Sequence, residues 1–209
     1  MTQSLIVIGT DTNVGKTVFA AALAEALGAH YWKPVQAGLT PETDSQTVAH
    51  LGGLSPDRIV PEVWRLPTPA SPHIAARAAG IKIDVAALHP PQSIVHVIIE
   101  TAGGVMVPLT EDFLTIDLLA RWRLPTILVA RTELGTINHS LLTLEALRHR
   151  DIAVKGVAFV GNEDAAVQQT IATVGGVRQL GRLPRLDPLN LETLRAAFAT
   201  HFSIQDFLT

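Results

Sequence analysis

Short runs of apolar residues alternate along this chain with segments whose apolar residues recur every three or four positions. The uninterrupted runs are typical of strands buried on both faces of a parallel sheet, and the periodic segments are typical of amphipathic helices. We predict strands at residues 5–8, 94–99, 126–130 and 157–160, and helices at 18–27, 113–122 and 141–147. This alternation predicts an α/β fold, with a mostly parallel β-sheet, helices on both faces and right-handed crossovers. Residues 1–209 are expected to form a single domain.

One region departs from this alternation. Six prolines between positions 40 and 73 argue against a long helix or a central strand there. A short helix is expected from about residue 43 to 51, with Gly52 and Gly53 ending it. The rest of the region is predicted to be irregular surface chain. A loop that covers a substrate and a plain surface excursion both fit it.

The first predicted strand runs into a glycine-containing loop, in the stretch "LIVIGTDTNVGKT". A Walker A phosphate-binding loop has four residues between its first glycine and the Gly-Lys pair, whereas five lie between Gly9 and Gly15 here. The backbone N–H groups of such a loop and the N-terminus of the following helix bind phosphate. Gly15 would allow close backbone approach, Lys16 would reach the β- and γ-phosphates, and Thr17 would offer its hydroxyl to Mg²⁺.

Two further charged residues fall where strands are predicted to end. Glu100 directly follows the run at 94–99. A carboxylate at the carboxyl edge of a parallel strand is well placed to hold Mg²⁺ beside a nucleotide. Lys33, in "YWKPVQAG", stands where a second strand should end. A role beside the phosphates and a solvated surface position fit Lys33 equally well.

Two other positions carry no functional signal by themselves. Asp44 is an acid early in a predicted helix, where the helix dipole favours it. The turn at residues 135–138 precedes a predicted helix and could present N–H groups to an anion. Simple N-capping by Thr136 or Asn138 is the better interpretation of that turn from the residues alone.

Composition narrows the class of protein. Apolar residues make up 47% and charged residues 17% of the chain, which is typical of a folded α/β protein. The formal net charge of −3 gives no reason to expect a nucleic acid or an anionic membrane as a partner. The chain has no cysteine, which excludes disulfides, thiolate metal sites and a cysteine nucleophile. Because no signal-like or membrane-spanning apolar run is present, we expect a cytoplasmic enzyme or switch protein.

Taken in order, these segments resemble the dethiobiotin synthetase family of P-loop NTPases, ATP-dependent carboxylases that close the ureido ring of the biotin precursor. The resemblance covers nearly the whole chain, and the loop of that family carries the same additional residue. The matching segments are "GTDTNVGKT", "KPVQAG", the segment around Asp44, "ETAGG" followed by Pro108 and Leu109, "LGTINHSLLT", Asn162 after "VAFVG", and "GRLPRL".

The resemblance implies a reaction and its participants. The substrates would be 7,8-diaminononanoate, CO₂ or bicarbonate, and ATP with Mg²⁺. An amine of the substrate would capture CO₂ as a carbamate, the carbamate would attack the γ-phosphate, and the second amine would displace phosphate and close the ring. The family also implies a homodimer with the substrate site at the subunit interface.

Roles for individual residues follow from the same resemblance. Lys16 and Lys33 would be catalytic, and Thr17, Asp44 and Glu100 would hold Mg²⁺. Asn162 would read the base beside an adenine pocket formed by residues 184–186. The expected diamine site comprises Thr12, Lys33, Ala37 and, at a helix N-terminus serving the partner subunit's substrate, Gly135, Thr136, Ile137 and Asn138. The expected nucleotide site comprises Asn13, Val14, Gly15, Lys16, Thr17, Val18, Asp44, Glu100, Thr101, Ala102, Gly103, Asn162, Glu163, Pro184, Arg185 and Leu186.

Three positions depart from the family pattern. Ala37 stands where a hydroxyl residue is frequent, so the backbone there would have to serve the substrate. Thr101 replaces a glycine that often follows the acid, which restricts the backbone near the metal. Glu163 replaces an aspartate that often follows the base-reading asparagine, which leaves the choice between ATP and other nucleoside triphosphates open.

Two alternatives share parts of the pattern. Amidotransferase-linked synthetases of cobalamin formation have a similar nucleotide-binding half, but they need a glutaminase domain with a cysteine nucleophile, and this chain has no cysteine. A partitioning-type ATPase switch binds protein partners without synthetic chemistry and typically has a second lysine early in the loop. No lysine lies between Gly9 and Gly15. The ATPase switch is kept as the second interpretation.

Overall fold

A computed structural model describes residues 4–92, 94 and 96–208 of the chain. Within these residues the chain forms nine strands: β1 (Leu5–Gly9), β2 (His30–Trp32), β3 (Val35–Ala37), β4 (Ile59–Val60), β5 (Trp64–Leu66), β6 (Val97–Gly104), β7 (Thr126–Arg131), β8 (Val154–Val160) and β9 (Gln179–Leu183). The helices of the same residues are α1 (Lys16–Ala26), α2 (Asp44–Gly52), α3 (Pro72–Ala78), α4 (Thr115–Trp122), α5 (Thr136–Arg148), α6 (Ala165–Val174), α7 (Leu191–His201) and α8 (Gln205–Leu208). No helix among them is long and apolar enough to cross a bilayer.

Seven of the strands form one sheet in the order β4-β2-β6-β1-β7-β8-β9. Each pair of neighbouring strands in it is parallel. All seven carboxyl ends therefore lie along the same edge of the sheet, where open α/β sheets bind their ligands. The predicted α/β class with a mostly parallel sheet is confirmed.

The central strand β1 separates two hydrophobic cores. Leu5 and Val7 pack with α1, α2 and α7 on one face, where four phenylalanines meet. Ile6 and Ile8 pack with α4, α5 and α6 on the other face. All four β1 side chains are buried, because successive residues of a strand point to opposite faces and both faces are covered. The predicted helical layers on both sides of the sheet are confirmed.

The predicted short helix near residue 43 is confirmed, and it has a well-defined start and end. Thr43 and Gln46 form a reciprocal capping box at the start of α2. Gly53 ends the helix in a left-handed conformation with φ of 58°, which glycine adopts without steric cost. Gly52 itself still belongs to the helix.

The prediction that irregular surface chain follows this helix is wrong. β4 adds an edge strand to the main sheet beside β2, and β5 pairs with β3 in a second, two-stranded sheet. A third hydrophobic cluster forms beneath this small sheet and includes Val35, Leu66, Ala75 and Leu88. The prolines of the region flank these two- and three-residue strands instead of interrupting them, as edge positions allow.

Other predicted boundaries moved by a few residues. The predicted strand at 94–99 begins at Val97 and continues to Gly104, and its position 95 lies outside the described residues. The predicted helices at 18–27, 113–122 and 141–147 are present as α1, α4 and α5.

Candidate functional site

The loop between β1 and α1 has the backbone that anion binding requires. Asn13 and Gly15 have φ of 58° and 94°, both left-handed, so the chain turns sharply before α1 begins at Lys16. A Cβ on Gly15 would lie 2.7 Å from Cγ1 of Val160, so this position also lacks room for a side chain. The first N–H groups of α1 have no partner within the helix and are available to a phosphate.

Lys16 lies across the start of the loop. Its Nζ donates to the carbonyl oxygen of Asp11 at 2.8 Å. A Cβ on Gly9 would lie 2.8 Å from that Nζ, so the first glycine provides the space that the lysine occupies. Burial, together with the charge of Lys33, lowers the pKa of Lys16 to about 8 against the opposing effect of Glu100 and other acids. A triphosphate would restore the preference for the charged ammonium.

Three elements bring a hydroxyl and two carboxylates together at the start of α1. The Thr17 hydroxyl lies 2.9 Å from Oε1 of Glu100 and 3.2 Å from Oδ1 of Asp44. Glu100 is on β6, directly beside β1 in the sheet, and Asp44 is in the first turn of α2. The structure therefore brings together the three residues that were expected to bind the metal.

Lys33 joins the same group. Its Nζ forms an ion pair with Oδ2 of Asp44 and another, at 3.1 Å, with Oε1 of Glu100. Burial alone would lower the pKa of Lys33, but the charges of Glu100 and Asp44 outweigh it and raise that pKa above its ordinary value. Asp44 shows the converse balance: burial opposes its charge, but Lys33 lowers its pKa below the ordinary value. The alternative of a solvated surface lysine is excluded, because only 4% of Lys33 is exposed.

The donor set at this point fits Mg²⁺. Thr17, Asp44 and Glu100 offer hydroxyl and carboxylate oxygens, which are the hard ligands this ion prefers. In the described part of the chain, no group of three or more His, Cys, Asp or Glu residues could hold a metal. Mg²⁺ needs no such cage, since it is usually bound through one or two carboxylates together with substrate phosphates.

Two residues that form hydrogen bonds with Glu100 or Asp44 were not predicted from the sequence. The Tyr31 hydroxyl donates to Oε2 of Glu100 at 2.9 Å. Oε1 of Gln36 accepts from the Asp44 backbone N–H at 3.2 Å, and its Nε2 donates to the carbonyl of Gly38 at 3.0 Å. Tyr31 precedes Lys33 by two positions, and that spacing along a strand could have predicted a shared face.

A cavity of about 770 Å³ opens over these groups. Twelve of the predicted site residues line it: Thr12, Asn13, Gly15, Lys16, Thr17, Val18, Lys33, Ala37, Asp44, Glu100, Ala102 and Gly103. The other lining residues are Pro69, Ala70, Ser71 and Val107, which no motif or periodicity had indicated. The cavity contains the phosphate loop, both lysines and the metal ligands, so one space holds the groups that phosphoryl transfer needs.

Seven residues of the predicted nucleotide site do not line this cavity: the five expected around the base, and Val14 and Thr101. Val14 is 2% exposed and packs in the core beside β1. Thr101 is 3% exposed, and its hydroxyl has no hydrogen-bond partner in the structure. Glu100 and Ala102 line the cavity and Thr101 lies between them on the strand, so its side chain points to the other face.

The residues expected around the base form a separate, exposed group. Asn162 and Pro184 follow the neighbouring strands β8 and β9, and the end of β8 packs against Gly15 of the loop. Arg182 donates to the Gly161 carbonyl at 2.9 Å and lies 3.5 Å from Glu163. The exposed Arg185 forms an ion pair with Glu133, and Leu186 is partly buried against the core.

Residues 135–138 lie at the N-terminus of α5, outside the large cavity. The interpretation that Thr136 or Asn138 caps this helix is wrong: Gly135 is the N-cap with φ of 92°, and no side chain caps the helix. The Thr136 hydroxyl instead donates to the Arg131 carbonyl at 2.6 Å. The first N–H groups of α5 thus have no side-chain cap. Next to them Leu134 is fully exposed.

A parallel sheet with a phosphate loop after its central strand defines the class of P-loop nucleoside-triphosphate-binding proteins. Solved structures support this fold. A MinD cell division ATPase from Pyrococcus furiosus superposes with a TM-score of 0.56 at 14% identity, covering 94% of this chain and 90% of that one. A ParA family ATPase from Chlorobium tepidum gives a TM-score of 0.52 at 13% identity, covering 95% and 91%. Identities this low show the fold alone.

Sequence relatives are far more similar. A family model described as an AAA domain matches residues 3–193. An ATP-dependent dethiobiotin synthetase BioD from Agrobacterium fabrum is 58% identical over 208 residues, covering 100% of this chain and 98% of the relative. A protein of the same name from Rhizorhabdus wittichii is 58% identical over 207 residues, covering 99% of each. The chain belongs to the ATP-dependent dethiobiotin synthetase family.

Proposed function

We propose that this protein is an ATP-dependent dethiobiotin synthetase, a ligase that forms C–N bonds in the synthesis of biotin. The observation that carries the proposal is the convergence of Lys16, Lys33 and the group Thr17, Asp44 and Glu100 on one cavity. The high identity of full-length relatives with this name supports the same activity. ATP is the co-substrate, and Mg²⁺ is the metal that the oxygen ligands suit.

The reaction joins one carbon to two nitrogens at the expense of ATP. One amine of 7,8-diaminononanoate attacks CO₂ and loses a proton, giving a carbamate. A carbamate oxygen attacks the γ-phosphorus, ADP leaves, and a carbamic–phosphoric anhydride forms. The second amine attacks the carbonyl carbon. The bond from that carbon to the phosphate oxygen breaks, phosphate leaves, and the five-membered cyclic urea is formed.

The residues of the cavity contribute mainly position and charge. Lys16 would neutralise charge on the β- and γ-phosphates, and Lys33 would lie between the carbamate and the γ-phosphate, where negative charge accumulates. Thr17, Asp44 and Glu100 would hold Mg²⁺, which when bound supplies further neutralisation of the triphosphate. The backbone N–H groups from Asn13 onward would bind phosphate oxygens.

The diamine would lie in the cavity between the phosphate loop and residues 69–71. Thr12 and Ala37 line that space beside Lys33, so the Thr12 hydroxyl and the backbone at Ala37 would face the reacting amines. Pro69 and Val107 offer apolar contact to the aliphatic chain.

The adenine of ATP and the carboxylate of the diamine would both be bound outside the cavity. We propose that Asn162, with Glu163 and residues 184–186, contacts the adenine. The N-terminus of α5 would receive the carboxylate of the diamine bound in the partner subunit of a homodimer. The exposed Leu134 and Leu142 beside it support an interface there, because large exposed apolar side chains mark contact surfaces. We also propose that residues 1–209 form a single domain. We expect the enzyme to act in the cytoplasm, and cell fractionation would test this location.

One experiment tests the activity directly. The purified protein is incubated with the diamine, bicarbonate, Mg²⁺ and each of the four nucleoside triphosphates in turn, and phosphate release and urea formation are both followed. Equal amounts of phosphate and urea with ATP are expected. Phosphate release without urea, independent of the diamine, would instead indicate an ATPase switch.

A further inference from the structure

Glu100 accepts hydrogen bonds on both oxygens of its carboxylate, and the two oxygens have different neighbours. Oε1 accepts from Thr17 at 2.9 Å and from Lys33 at 3.1 Å. Oε2 accepts from the Tyr31 hydroxyl at 2.9 Å. Glu100 is 1% exposed and Tyr31 is fully buried, so no water can readily replace the phenol.

The pairing of β2 with β6 holds the Tyr31 hydroxyl next to Glu100. Tyr31 on β2 is paired with Ile98 on β6, two positions before Glu100, and Lys33 directly follows the last residue of β2. The Tyr31 ring packs in the main hydrophobic core with residues of α1. A buried carboxylate that lost this donor would keep an unsatisfied oxygen, which is unfavourable.

We propose that Tyr31 is a positioning residue for the metal site: its hydroxyl holds Oε2 of Glu100 and leaves Oε1 as the oxygen presented to the metal beside Thr17. Tyr31 has no contact of its own with the cavity, since it is absent from the lining. Its effect therefore passes through Glu100, in the way that partners of metal ligands fix ligand geometry and tune metal affinity. This inference rests on the proposed function, because it takes Glu100 as a metal ligand.

The first test is metal binding without turnover. Free Mn²⁺ is measured by electron paramagnetic resonance while Mn²⁺ is titrated into protein saturated with ADP. Tyr31→Phe should raise the dissociation constant for Mn²⁺ about tenfold, the lower end of the effect of removing such a partner. Binding of ADP in the presence of EDTA should be unchanged.

Two further variants separate positioning from loss of stability. Trp122→Phe removes another aromatic donor, whose Nε1 donates to the Leu88 carbonyl at 2.9 Å instead of to a carboxylate, and it should leave the affinity for Mn²⁺ unchanged. Tyr31→Phe made in a Glu100→Gln background should cause no further loss, because a residue that acts through Glu100 is coupled to it. An equal additional loss in that background would overturn the proposal.

A second measurement needs no substitution. Tyr31 is the only tyrosine in the chain, so incorporation of 3-fluorotyrosine gives a single ¹⁹F resonance. That resonance should shift when Mg²⁺ is added to protein saturated with ADP, and not when ADP is added with EDTA. Wild-type affinity for Mn²⁺ in Tyr31→Phe, or a resonance indifferent to Mg²⁺, would overturn the role of Tyr31. Neither result would contradict the proposed synthetase activity, because urea formation by the unmodified enzyme tests that activity separately.

Discussion

The phosphate side and the outer sides of this site are built differently. Around the phosphate loop, Lys16, Lys33 and Glu100 are each at most 6% exposed and are held by hydrogen bonds and ion pairs from several strands and helices. Around the expected base and carboxylate positions, Asn162 and Asn138 are exposed.

This contrast separates side chains whose positions are fixed by buried contacts within the protein from side chains that are exposed to solvent. Charges held in a buried network change position little during a reaction, and such fixed charges account for much of enzymatic rate enhancement. Exposed side chains at the two ends contribute binding contacts instead. We therefore expect substitutions on the phosphate side to reduce kcat and those at the ends to change mainly KM or assembly.

The largest effect should come from Lys33→Ala. We propose that the Lys33 ammonium lies beside the carbamate and the γ-phosphate, so its loss should lower kcat for urea formation by about 10³-fold, at the upper end for one electrostatic contact. Nucleotide should still bind, because Lys16 and the loop amides are intact. Lys82→Ala, at an exposed lysine, serves as the control. Full activity of Lys33→Ala would show that Lys33 is a bystander.

Asp44→Asn should have the next largest effect. The change removes a carboxylate charge from the metal site with almost no change in shape. The Mg²⁺ concentration for half-maximal activity should rise about 100-fold. Glu42→Gln alters an exposed acid just before α2, where it binds only Thr47, and should leave the Mg²⁺ dependence unchanged. An unaltered Mg²⁺ requirement in Asp44→Asn would remove Asp44 from the ligand set.

Leu134→Asp tests the carboxylate end through the subunit interface. A charge on this fully exposed leucine should weaken the proposed dimer, which analytical ultracentrifugation would measure. kcat/KM for the diamine should fall about 30-fold, the equivalent of one charge-assisted hydrogen bond of about 2 kcal/mol. Val174→Asp, on an exposed residue of α6, is the control. A monomeric variant with full activity would place the carboxylate site within one chain.

Asn162→Ala tests the base end. Removal of one side-chain hydrogen bond to adenine, worth about 1 kcal/mol, should raise KM for ATP about fivefold and leave kcat unchanged. A comparison of ATP with the other three triphosphates in the same variant would show whether base preference is lost at the same time. A kcat effect as large as that of Lys33→Ala would contradict the contrast between the two regions.

Ala37→Ser should have the smallest effect. A hydroxyl at this cavity-lining position would add one hydrogen bond to the diamine and lower its KM about threefold. An unchanged KM would mean that the backbone at this position already suffices. The KM for ATP serves as the internal control and should not change.

The sequence predicted the central strands of the main sheet because they are continuous apolar runs, which β1, β7 and β8 illustrate. It did not predict β4 and β5, because strands of two or three residues have no periodicity to detect. Their formation depends on pairing with β2 and β3, which are distant along the chain. The helices and strand after residue 160 were likewise not predicted.

The site divides along the same line. Gly15, Lys16 and Thr17 could be predicted from local pattern, since they stand at the start of α1. Glu100 could be predicted because it directly follows a buried apolar run, although β6 continues beyond it to Gly104. Asp44 could not be distinguished from an ordinary acid early in a helix until the fold placed α2 beside α1 and brought Asp44 to Thr17. The wall formed by residues 69–71 depends on the third hydrophobic cluster, which no single segment reveals.

That wall has a consequence for how the enzyme can change over evolution. Residues 69–71 connect β5 to α3, and both elements rest largely on their own hydrophobic cluster. Repacking beneath them would reshape the space for the amine without disturbing the strands that carry the loop and Glu100. We therefore expect the choice of diamine and the use of ATP to be separable traits, on which selection can act one at a time.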